Sequence, residues 1–112
     1  MIHYDNKTFR SVSNSESGEV DGETLFHYQQ EGKLVSATYA GGSIVFGHFL
    51  ALVDEKGELD MRYHHLNLTG EIRTGICHSI PELLPDGRLR LYESWCWTNG
   101  DASAGKSIVE EV

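Results

Sequence analysis

The chain has 112 residues, enough for one continuous core but not for a core plus an independent second module, so residues 1–112 are expected to form one domain. Its 9 Lys and Arg against 17 Asp and Glu give a formal net charge of −8, which repels polyanions, and no basic stripe marks a nucleic-acid surface. No apolar run nears the roughly 20 residues of a membrane helix, and the start Met1-Ile2-His3-Tyr4-Asp5 lacks the regions of a signal peptide; a cytoplasmic protein without membrane or nucleic-acid partners is expected.

In chain order, His3 to Val12 holds a hairpin or strand around Asp5-Asn6. Ser13 to Gly22 is polar and acidic with only Val20 to bury, and reads as a surface connection or as a lid arching over an opening. Six strands follow, with apolar and polar residues alternating between glycine-bearing turns: 24–30, 33–40, 43–53, 58–67, 71–80 and 88–98. The loop 99–106, rich in Gly, Asp, Ser and Ala, precedes a last strand at 107–112. No segment has a helical period. The predicted fold is all-β, an antiparallel up-and-down barrel of eight or nine strands whose interior can be filled by side chains or can hold one small ligand.

Register decides which residues face inward. Taking Glu31-Gly32, Gly41-Gly42, Thr69-Gly70 and Asp86-Gly87 as two-residue turns and 54–57 as a four-residue turn predicts an interior that includes Phe46, Leu50, Leu52, Met61, Ile72, Ile76, Trp95 and Trp97. Set among these are Tyr28, Tyr39, His48, Tyr63, His65, Thr74, His78 and Glu93. Ser79 and Arg73 fall on the outer face, as does His64, because neighbours on a strand point to opposite sides. The same register sets Cys77 across from Cys96 on the outside, where two reduced thiols are expected.

Polar groups inside an apolar wall need partners. Three readings compete. One is an internal hydrogen-bond network pairing His48 with Tyr63, His65 with Thr74 and Glu93 with His78. Another is a small-molecule pocket in which Phe46, Tyr63, Trp95 and Trp97 hold an apolar or aromatic ligand while His48, His65, His78 and Glu93 orient it. The third is a metal site from the three histidines and the carboxylate, although no local ligand motif such as H-x-H appears. An interior volume of roughly 300 Å³ or more would separate a binding pocket from a packed barrel. No nucleophile elbow, P-loop or dinucleotide fingerprint is present, so no catalytic residue, cofactor or metal is assigned. A His and Glu pair could serve as acid and base, and self-association into a homo-oligomer stays open.

Tyr39-Ala-Gly-Gly-Ser-Ile-Val-Phe-Gly-His, Leu52-Val-Asp-Glu-Lys-Gly-Glu-Leu-Asp-Met-Arg-Tyr-His-His, Gly75-Ile-Cys-His-Ser and Trp95-Cys-Trp-Thr-Asn-Gly-Asp resemble a family of small uncharacterised bacterial proteins along nearly the whole length. Members often carry the label N-acetylglutamate synthase. Acetyltransferases of that type bind acetyl-coenzyme A through a Q/R-x-x-G-x-G/A loop at a helix start, and this chain has neither. In pattern it is similar to the calycin class of ligand-binding barrels, the lipocalin-like and avidin-like folds, without the lipocalin G-x-W near the start. That likeness implies an interior ligand.

Overall fold

Eight antiparallel strands close into a barrel in strict chain order in a computed structural model that describes residues 2–112. They are β1 (Lys7–Asn14), β2 (Leu25–Glu31), β3 (Leu34–Gly41), β4 (Ile44–Val53), β5 (Leu59–Asn67), β6 (Ile72–Leu83), β7 (Leu89–Trp97) and β8 (Ala104–Glu111). Pairing of β1 with β8 closes the ring and leaves no free edge. The N-terminal segment caps one end, where the buried Tyr4 hydroxyl donates to the Gly57 carbonyl at 2.5 Å and the Tyr4 amide donates to Gln30 Oε1 at 2.9 Å. The β1–β2 connection lies over the other end.

The turns explain both the successes and the failures of the predicted register. Three hairpins share one construction: a three-residue loop ending in a glycine of positive φ. Gly57, Gly70 and Gly87 have φ of 81°, 84° and 90°. Each glycine amide donates to the residue before the loop, and that residue's amide donates across the hairpin, as in Gly70 N to Asn67 O and Asn67 N to Glu71 O, both 3.0 Å. This is a type I turn followed by a left-handed residue, and it takes up one more position than the two-residue turns expected at Gly70 and Gly87 and one fewer than the four-residue turn expected at 54–57. The β5–β6 turn therefore reverses every side chain of β6 relative to expectation, and the identical β6–β7 turn restores β7. A bulge does the same to β4. Ile44 lies opposite Asn67 while Phe46 lies opposite Leu66, so β4 carries one extra residue at Val45-Phe46.

Correction is thus confined to two strands. In β4, Phe46, His48, Leu50 and Leu52 point outward, with Phe46 56% exposed, while Gly47, Phe49 and Ala51 are buried. In β6, Ile72, Thr74, Ile76 and His78 point outward, and Arg73, Gly75, Cys77 and Ser79 point inward. The interior sides of β5 and β7 hold as predicted. Cys77 pairs with Trp95 and Cys96 with Ile76, so the two thiols occupy opposite faces of the wall and remain free.

Three interior aromatic rings lie flat across a glycine on the neighbouring strand. Tyr39 pairs with Gly47, Tyr63 with Gly75 and Trp95 with Gly105. A Cβ on any of these glycines would come within 2.4 Å of the ring. Absence of a side chain opposite each ring lets the aromatics tile the wall rather than block the lumen.

Candidate functional site

Below the β1–β2 connection, the upper barrel is lined by aromatic rings. Trp97 sits 5.7 Å from Tyr63, 5.6 Å from His65 and 5.5 Å from Trp95, measured between ring centroids, and Phe26 sits 4.8 Å from Tyr39. A cavity of about 60 Å³ lies between these rings, with Phe49 and Met61 toward the core and Glu93 on its wall. At the other end a broader depression of about 970 Å³ runs among turn residues, and no aromatic wall surrounds a buried polar group there.

Glu93 is a half-buried carboxyl on the interior wall of β7, facing this cavity. Its Oε1 accepts from Ser107 at 2.8 Å and its Oε2 from Ser79 at 3.2 Å. Among the described residues no cation pairs with it. Burial pushes its carboxyl pKa up, and the two serine hydroxyls only partly oppose this. Its side chain keeps some accessible surface because the cavity lies against it. Burial likewise raises the Cys77 thiol beside it, with Glu93 adding to the effect, so this sulfur is a protonated apolar wall group.

Nearer the mouth, His65 Nδ1 and the Tyr39 hydroxyl are 3.0 Å apart, and His65 Nε2 is 2.8 Å from Glu19 Oε1. Burial holds the His65 pKa below the ordinary histidine value, with the Glu19 carboxylate opposing the shift. The neutral ring satisfies both contacts if Tyr39 donates to Nδ1 and Nε2–H donates to Glu19. Glu19 also accepts from Arg73 Nη1 at 2.9 Å and from Asn67 Nδ2 at 3.2 and 3.3 Å. The Arg73 guanidinium lies 4.0 Å from the Trp97 ring centroid. Further bonds hold the loop down: Trp97 Nε1 donates to Ser17 O at 3.0 Å, Ser43 Oγ to Glu19 O at 2.6 Å, and Asn14 Nδ2, at the end of β1, to Val20 O at 3.0 Å, while Asn14 Oδ1 accepts from Trp95 Nε1 at 3.1 Å.

Of the residues singled out in the sequence, Tyr63, His65, Glu93, Trp95 and Trp97 line this pocket, whereas Phe46, His48 and His78 do not. His48 lies beside His64 on the outer wall, with ring centroids 5.7 Å apart, and His78 contacts Glu58 at 2.8 Å on the outside. The histidines therefore do not converge, and the expected pairs of His48 with Tyr63, His65 with Thr74 and Glu93 with His78 are replaced by those above. Sequence reasoning missed Glu19, Arg73, Asn67, Ser79 and Ser107. Arg73 and Ser79 were hidden by the reversed β6; Glu19 is one acid in an acidic stretch and carries no local signal.

A family model described as Avidin-like protein matches residues 2–112. The chain belongs to the avidin-like family. No curated protein and no solved structure matches it. The calycin-like expectation drawn from alternation agrees with this membership and with the closed eight-strand barrel. The N-acetylglutamate synthase label gains no support: no helix occurs among the described residues to carry an acetyl-coenzyme A loop, and accordingly none is long and apolar enough to cross a membrane. In this avidin-like barrel the pocket, the loop and the interior carboxyl all belong to one end.

Proposed function

We propose that the barrel binds a small apolar or aromatic molecule between Tyr63, Trp95 and Trp97, with His65 and Glu93 orienting its polar groups and residues 15–24 acting as the lid. One observation carries this reading: an interior carboxyl, paired with no cation among the described residues, faces a cavity walled by aromatic rings. Such a group is unfavourable for folding, and pockets that orient a ligand are where it is tolerated. Avidin-like membership is in keeping with a small-molecule container. At about 60 Å³ the cavity falls well short of the roughly 300 Å³ that separates a binding pocket from a packed barrel, so with the loop in place the barrel is on the packed side of that criterion. Ligand entry therefore requires the loop to lift, and binding and lid movement are one process. Unpaired Cys77 and Cys96 suit a reducing, cytoplasmic setting.

Native mass spectrometry of protein purified from its own host tests this. A retained small mass that is lost on denaturation is the expected result; bare apo mass, with no thermal shift across a metabolite library, overturns it.

A second reading rests on the outer wall. The register aligns Phe46, Leu66 and Ile72 in one row across β4–β6 and places Leu50 and Ile76 on either side of Arg62 in another. All five apolar side chains are exposed, Ile72 to 65%. We infer that this face mediates self-association, since contiguous exposed apolar surface of this kind marks interaction sites.

A further inference from the structure

We propose that Arg73, His65 and Asn67 form an anion subsite which Glu19 fills when no ligand is bound, and that the ligand is an organic carboxylate whose carboxylate replaces Glu19. This rests on the pocket reading above and adds the chemical class of the ligand.

The argument begins with how the three donors are held. Arg73 is positioned by the Trp97 ring and by Asn99 Oδ1, which accepts from its Nε at 3.4 Å. Tyr39 fixes the His65 ring through Nδ1, leaving Nε2 for an acceptor. Asn67 Oδ1 accepts from the amides of Thr69 at 3.2 Å and Glu71 at 2.9 Å, which directs its Nδ2 toward the mouth. None of these supports comes from the lid. The donors therefore keep their places when Glu19 leaves, and what remains is a half-buried guanidinium with two aligned N–H groups, flanked on the solvent side by Asp101, 3.8 Å from Arg73 Nη2, and by Glu71, which accepts from Asn67 Nδ2 at 3.3 Å. Geometry of this kind suits a carboxylate.

Glu19, by contrast, belongs to the segment that must move. Its side chain lines the cavity and occupies the three donors that a ligand carboxylate would use. Its departure leaves the guanidinium with the exposed Asp101 carboxylate 3.8 Å from Nη2, a weak solvated partner, so an anionic ligand restores a close, shielded counter-charge that a neutral one does not. Opening is thus an exchange of one carboxylate for another, and the site discriminates against neutral isosteres. The overall charge of −8 opposes the approach of anions at long range, so selectivity arises from local donors rather than steering.

Two experiments separate this proposal from the reading it depends on. In Glu19→Ala, 100 mM acetate compared with chloride at equal ionic strength is expected to raise the melting temperature by about 3 °C or more, with no comparable rise in the unmodified protein or in Glu19→Ala/Arg73→Met. Glu19→Gln serves as a second background. Equal acetate responses in all of these proteins overturn the subsite. Calorimetric titration of Glu19→Gln with phenylacetate, 4-phenylbutyrate and octanoate, each against its primary amide, is expected to show the acids binding at least about tenfold more tightly. Equal affinity for acids and amides keeps the pocket and overturns the anion subsite. Failure of every acid and amide to bind overturns both.

Discussion

At the level of single residues, burial decides which polar groups matter. Glu93 has a raised folded pKa, so its unfavourable ionisation is absent below the unfolded value of about 4.3 and grows as the pH climbs through the folded value. Stability from this group is therefore lost with rising pH. Glu93→Gln should melt higher than the unmodified protein at pH 8, by roughly 4 °C for each kcal/mol relieved, and the gain should vanish near pH 4; thermal melts across that range check it. His65 and His64 are neighbours of opposite fate. His65→Ala removes the partner of both Tyr39 and Glu19 and is expected to lower stability by about 2 kcal/mol, whereas His64→Ala on the exposed side should stay within about 0.5 kcal/mol in denaturant titrations.

For the strands, the decisive feature is the extra residue at Val45-Phe46. Because β4 is apolar on both sides, alternation alone could not choose between Phe46, Leu50 and Leu52 and the competing set Phe49, Ala51 and Val53. Space chooses: Gly47 fits beneath the Tyr39 ring, Ala51 is buried between Val35 and Met61, and the bulkier set goes out. Phe46→Asp should accordingly leave stability within about 0.5 kcal/mol, while Phe49→Asp should prevent folding, and circular dichroism with urea titration distinguishes them. Gly75→Ala tests the tiling of rings over glycines. Its methyl group would meet the Tyr63 ring and is expected to cost about 1–3 kcal/mol by displacing it.

Considered as a whole, the barrel has two chemically distinct ends and one apolar flank. The N-terminal segment and Tyr4 seal one end, whereas the other is closed by a loop whose grip is polar and directional. Hydrogen bonds of that kind can be exchanged for bonds to a ligand, and a packed apolar plug could not be. On the self-association reading, the flank built from Leu50, Ile76 and their neighbours is the contact surface. Leu50→Lys/Ile76→Lys is expected to shift the protein to monomer in light scattering after size exclusion while keeping its melting profile cooperative; an unchanged mass distribution removes this face as the interface.

Alternation with glycine-marked reversals was enough to read an all-β barrel, its strands, and the inward sides of β5 and β7, because a half-buried strand imposes period two on its own residues. It also exposed Tyr63, His65, Glu93, Trp95 and Trp97 as interior candidates. Turn length and bulges lie outside that periodicity. One added residue in a loop leaves the hydrophobic pattern intact yet reverses the next strand, so the true sides of β4 and β6, and with them Arg73 and Ser79, emerged only when all eight strands closed on one another. Glu19 depended on tertiary structure altogether, since only the folded wall brings a carboxylate from a polar loop against donors 46 to 54 residues away.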